Sequence, residues 1–173
     1  MDTLLSVDEK YLQVLEELYC GELPKAFRLL NEILAAEPAY ARAHFQMARL
    51  QHEQFRDLRA AGYHYQQCEQ IDPDFPDVYL PYLKLCNELG KHKLARTLGE
   101  KGLRVAGTDR YQLCKELARS ADLRREYNEA RELLNRALLH AHEPEQEKEM
   151  LEQLKTLNSK MKRDAPFVYR LEE

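Results

Sequence analysis

An alanine returns along this chain at Ala26, Ala61, Ala95 and Ala130, at intervals of 35, 34 and 35 residues. Its surroundings recur with it. Three residues before it stands Leu23, Leu58, His92 or Tyr127, and four after it Leu30, Tyr65, Gly99 or Leu134. Seven after it comes Ile33, Cys68, Gly102 or Ala137. Positions n, n+4 and n+7 share one face of an α-helix. The small residue at the centre lets a paired helix approach closely, and a larger one would overpack the contact at a cost of about 1–3 kcal/mol. Twelve residues past the alanine, Pro38, Pro73, Gly107 or His142 (with Pro144 just beyond) ends the helix. Self-similarity at this period marks an array of stacked units.

Between these segments the spacing predicts partner helices over about 40–54, 76–89 and 109–124, each with a small or apolar pair near its middle: Met47 and Ala48, Tyr82 and Leu83, Leu117 and Ala118. A first helix over about 7–20 starts at Ser6, and Ser6 with Glu9 reads as a capping box. Thr108 is the expected cap of the helix after Gly107. The stretch 144–162 reads as a last helix with one apolar stripe of Met150, Leu151, Leu154, Leu157 and Met161, suited to cover the end of the array. The expected organisation is one domain over 1–163, with repeats at about 7–39, 40–74, 75–107 and 108–143, the capping helix, and a tail over 164–173. Phe167, Val168, Tyr169 and Leu171 make that tail too apolar for a purely solvated one, and the alternatives are a segment that folds back on the array, one that docks on a partner, or a disordered end.

Over about residues 7–143 these four repeats resemble the tetratricopeptide-repeat family, most closely in YLPYLKLCNELGKHKLARTLGEKGL and CKELARSADLRREYNEARELLNRAL. The resemblance implies an all-α fold, a right-handed α-solenoid of about four helical hairpins plus the capping helix. Four features depart from the family pattern: a first helix out of register by about one residue, an extra residue near Phe55, Gly99 and Gly102 in place of larger residues, and Pro81 in the first turn of its helix.

The resemblance further implies a concave groove, lined by the first helix of each repeat, that holds a peptide or a partner protein. Carried over position by position, the groove residues are Arg42, Phe45, Arg49 and His52, then Leu80, Lys84 and Asn87, then Lys115, Arg119 and Asp122. Arg49, Lys84 and Arg119 recur at 35-residue intervals and are expected to stack into a basic stripe. Such a stripe suits an acidic ligand, with Phe45 and Leu80 as apolar contacts. The plainer expectation is a set of solvated charges paired with Glu53, Glu88, Glu116 or Asp122, worth about 0–1 kcal/mol each. The carboxylate clamp by which some family members hold heat-shock chaperones is not reproduced: Gln46 stands where an asparagine is expected.

The residues point to an adaptor or scaffold, with a dedicated secretion or assembly chaperone and a homo-oligomer built through the last helix as alternatives. A net charge of −4 weighs against sequence-blind nucleic-acid binding. Cys20, Cys68, Cys86 and Cys114 form no CxxC pair, and reduced thiols fit the cytoplasm. No signal-peptide pattern and no apolar run of membrane-span length occur, so membrane insertion is not expected. Neither a phosphate loop nor a GxSxG or HExxH motif is present, so no enzyme activity, cofactor or metal is expected. The histidines are spaced poorly for sharing an ion: His140 and His142 lie two apart, His44 and His52 eight apart.

Overall fold

The computed structural model describes residues 6–164. The tail expected to fold back or dock lies outside them from Ala165 onward. The described residues form helices joined by short turns, arranged as hairpins of a first (A) and a second (B) helix. They are α1 (Val7–Cys20) with α2 (Leu23–Ala36), α3 (Ala41–Arg49) with α4 (Leu58–Ile71), α5 (Tyr79–Glu88) with α6 (His92–Gly102), and α7 (Arg110–Leu123) with α8 (Tyr127–Leu139). The last helix, α9 (Pro144–Arg163), packs on α8 and stands where a fifth A helix would be.

The repeating alanines sit where the period placed them. Ala26, Ala61, Ala95 and Ala130 are each 0% exposed. Around them run two adjoining cores, one spanning α1 to α3 and the other α3 to α9. Helix α3 joins them, because its Ala43 and Met47, with Leu50 just after it, face the first and its Phe45 and Ala48 the second. In the third repeat the tight contact extends along the helix. A Cβ on Gly99 would meet Leu117 at 2.5 Å, and one on Gly102 would meet the Tyr79 Cβ at 2.8 Å. The two glycines therefore let α6 settle onto α5 and α7.

Each A helix turns into its B helix through one left-handed residue. These are Gly21 (φ 80°), Arg56 (φ 56°), Gly90 (φ 66°) and Arg125 (φ 61°), and they recur at the alanine intervals. Two repeats fill the position with the residue type that tolerates it, and two with arginine. The extra residue of repeat two is absorbed just before this turn. Leu50–Phe55 form a π-helical turn, which takes up more residues per turn than an α-helix. Phe55 is thereby placed edge-on against Phe27, 5.5 Å between centroids.

The Ser6–Glu9 capping box is present, with Ser6 N–H donating to Glu9 Oε2 at 2.7 Å and Glu9 N–H to Ser6 Oγ at 3.2 Å. The expected cap on α7 is corrected. Asp109 accepts from Gln112 N–H at 3.0 Å, while the Thr108 hydroxyl donates back to the Gly102 carbonyl at 2.8 Å. The hydroxyl is already used in closing the preceding turn. The expected stripe on α9 also divides: Met150 and Leu157 are buried, but Leu151 is 53% exposed on the outer face. It lies about 100° round the helix from Met150.

An unforeseen polar contact lies in the second hairpin. His44 Nε2 is 2.9 Å from the Pro38 carbonyl, which only accepts, so that nitrogen carries the proton. His44 Nδ1 therefore accepts from His64 Nδ1–H, 2.9 Å away. Burial, and then the neighbouring His44, push His64 down to about 4 from 6.5.

Two outcomes are expected. Arg125→Gly raises stability by about 0.5–1 kcal/mol, since it relieves a left-handed backbone at some cost in unfolded-chain entropy; the midpoint of urea unfolding measures it. The depressed His64 value means that the unfolded chain takes up a proton first. Stability is therefore full above pH 6.5 and lost as pH falls towards 4, by about 2 kcal/mol for a half-buried ring. Unfolding midpoints of the parent and of His64→Gln, compared across that range, should converge as the pH falls, because glutamine keeps a donor to His44 and does not titrate.

Candidate partner-binding groove

The A helices present one face that neither their own B helix nor the next hairpin covers. Three clefts run along it. One of about 150 Å³ lies between α1 and α3, over Leu18, Gln46 and Arg49. A second of about 310 Å³ lies between the π-turn and α5, lined by His52, Arg56, Leu80 and Lys84. The third, about 530 Å³, lies between α7 and α9, with Lys115, Arg119, Asp122 and Lys160 on its walls and Ala118, Leu134 and Leu157 in its floor.

All ten residues expected in the groove lie on A helices or the π-turn that continues α3, but their surroundings differ. Four of them tie one repeat to the next. His52 Nε2 lies 3.3 Å from Glu88 Oε1, and Arg56 donates to the other oxygen of that carboxylate at 3.1 Å. Asn87 Nδ2 donates to Glu116 Oε1 at 2.9 Å. Lys115 meets Glu149 at 2.7 Å, and Asp122 meets Lys160. Desolvation pushes Glu88 up, but the bonds from His52 and Arg56 outweigh it and hold its carboxyl below the usual range. The bond from Lys115 likewise holds Glu149 down.

The three cations of the expected stripe stand on α3, α5 and α7, and two of them are shared with acids. Arg49 forks Glu53 through two bonds of 3.2 Å and lies over the Phe45 ring, 5.9 Å from its centroid. Arg119 donates to Glu116 at 3.2 Å. Lys84, between them, is exposed and has no ion-pair partner among the described residues, and the same holds for Arg42. Phe45 is buried against Phe75 at 5.2 Å, so the apolar contact expected from it is spent on the core. Leu80 stays partly open beside Lys84.

The groove's first section was missed in the sequence. Leu12, Leu15 and Tyr19 follow one another along α1 and are 65%, 38% and 93% exposed. Leu15 is the α1 counterpart of Arg49, Lys84 and Arg119, at an interval of 34 residues. The groove therefore begins apolar at α1, turns cationic across α3 and α5, and ends with mixed charge at α7 and α9. The signal was the density of apolar and aromatic residues between Tyr11 and Tyr19, more than one buried stripe needs.

No family profile matches the chain, and no curated protein matches it. Solved structures do. It is similar to MamA from Desulfovibrio magneticus RS-1, at 16% identity and a TM-score of 0.76, covering 90% of this chain and 85% of that one. PilW, a widely conserved type IV pilus biogenesis factor, is similar at 16% identity and a TM-score of 0.74 over 90% and 71%. A thermophilic TPR protein of Thermus thermophilus is similar at 16% identity and 0.58 over 91% and 84%. The fold is that of a tetratricopeptide-repeat solenoid. Among the described residues no helix is long and apolar enough to cross a membrane, and no cluster of three or more His, Cys, Asp or Glu is placed to hold a metal.

The links between repeats lead to one expectation. Asn87→Ala removes the donor to Glu116, a carboxylate that is buried, and should cost about 1–3 kcal/mol in chemical denaturation.

Proposed function

We propose that this chain is a protein-interaction scaffold that holds a segment of a partner protein along the A-helix groove. One observation carries the reading: A-helix side chains that neither cores nor neighbouring hairpins fill, apolar at Leu12, Leu15 and Tyr19 and cationic beside three clefts at Arg49, Lys84 and Arg119. Large exposed apolar side chains clustered on one face mark interaction surfaces. The partner segment has apolar side chains at the α1 end and carboxylates over α3 and α5. Lys84 and Arg42 support the acidic half, since neither is neutralised by a described neighbour. The chain works in the cytoplasm on this reading, which its four free cysteines, three of them buried, support.

A second reading, an assembly chaperone, is favoured by the likeness to the pilus biogenesis factor PilW. It uses the same groove. A third, self-association through α9, is supported by exposed Leu151 on that helix's outer face. It predicts a dimer by light scattering that Leu151→Glu dissolves.

Crosslinking capture from the source cell, followed by titration of the captured partner's segment, tests the groove. Lys84→Glu should weaken binding by about tenfold, or about 1.4 kcal/mol. Leu12→Ser with Tyr19→Ser should weaken it at least as much, with unfolding unchanged because these side chains are outside both cores. Equal affinity in all variants would contradict the reading.

A further inference from the structure

The B-helix side of the stack holds a cleft apart from the groove. It lies between α4 and α6, over α5, with a volume of about 490 Å³. Its floor is Tyr82, Leu85, Cys86 and Leu98, all buried. Exposed Tyr63 on α4 and Leu94 on α6 form its walls. It runs along α4 from Leu58 to Glu69, a rise of about 16 Å. The two ends differ. At the C-terminal end Lys101 on α6 reaches across to Glu69 on α4, and no other carboxylate among the described residues lines the slot. At the N-terminal end stand Arg59 and Lys91, both exposed, and neither has an ion-pair partner among those residues.

Gly62 keeps the slot open. Glycine inside a helix is destabilising relative to alanine. The other five glycines are left-handed or sit where a Cβ would collide. Gly62 is neither, for its φ is not positive and a Cβ there would lie 3.7 Å from Leu85 Cδ2, an ordinary contact. Neither backbone nor packing therefore demands it, and what it provides is space. That space has the section of a single extended chain: about 490 Å³ over about 16 Å leaves about 30 Å², against about 80 Å² for a helix 10 Å across. An extended peptide would bring backbone N–H and C=O groups that need partners. The helix backbones around the slot are paired within themselves, and the Thr97 hydroxyl already donates to the Lys93 carbonyl at 3.1 Å. An alkyl chain brings no such groups.

We propose that this slot binds a linear alkyl carboxylate, its chain laid between α4 and α6 and its carboxylate at Arg59 and Lys91. The two cations supply charge-assisted hydrogen bonds to the head group. The floor and walls take the chain out of water. The Lys101–Glu69 bridge stops its far end and sets a length. An extended chain of about twelve carbons, advancing about 1.3 Å for each C–C bond of about 1.5 Å, matches the slot.

Titration of the ¹⁵N-labelled full chain with sodium dodecanoate, kept below its micelle concentration, tests the slot through amide shifts. Saturable shifts should fall in α4, α5 and α6 and leave α1 and α8 unmoved. Affinity should drop about two- to fourfold for each methylene removed from dodecanoate, whereas tetradecanoate should gain little over it. Arg59→Glu with Lys91→Glu should raise the Kd at least tenfold. Gly62→Leu fills the slot and should abolish the shifts; if that variant does not fold, the charge variant and the chain-length series decide. Absence of saturable shifts overturns the proposal, as do equal shifts with dodecyltrimethylammonium, shifts centred on Leu12, Leu15 and Tyr19, or an affinity that the charge variant leaves unchanged. Slot shifts that grow with protein concentration alone, together with a doubled mass, overturn it in favour of a second copy as occupant. None of these readouts involves the A-helix groove, so failure here leaves the groove reading to its own titration.

Discussion

The closeness of the A and B helices within each hairpin is the constraint on which the rest depends. It is set by an alanine side chain with no exposed surface at the centre of each contact. With the pair drawn together there, the hairpin presents flat apolar flanks and the next one can stack on it. Gly99 and Gly102 push the principle further in the third repeat, where even a methyl group would collide with Leu117 or Tyr79. A stack of this kind has no single centre. Its stability is a sum of hairpins and of the junctions between them.

On the proposed scaffold reading, those junctions compete with recognition for the same side chains. His52, Asn87, Lys115 and Asp122 occupy positions that the family resemblance assigns to a ligand, and each reaches the next A helix instead. Glu116, the acceptor of Asn87, is buried, so that bond is costly to leave unmade, while the acceptors of His52 and Lys115 are more open to water. What the stack leaves unused, and what the proposed reading assigns to a partner, is Leu12, Leu15 and Tyr19, Lys84 and Arg42, and the face of Arg49 not engaged by Glu53. The groove is consequently less basic than a stripe of three cations suggests.

The parts of this arrangement that depend on a period were legible in the sequence. The alanine interval located the hairpins, the burial of Cys68, Cys86 and Cys114, and the helix that covers the end. The parts that depend on one departure from the period were not. Arg56 and Arg125 hide left-handed turns that Gly21 and Gly90 announce, because arginine carries no signal for that conformation. The extra residue near Phe55 was visible, but its absorption in a π-turn depends on how the chain end packs on α4 and α5. The register offset of α1 hid Leu15 as the fourth member of the groove column. His44 and His64 are twenty residues apart on different helices, and only the hairpin brings their rings together.

Hydrogen exchange of the full chain, with and without a captured partner, tests the central claim most directly. A groove built by stacked A helices predicts new protection in α1, α3, α5 and α7, with α2, α4, α6 and α8 unchanged. Protection confined to the B helices would contradict it, for it would place the partner on the opposite side of the stack.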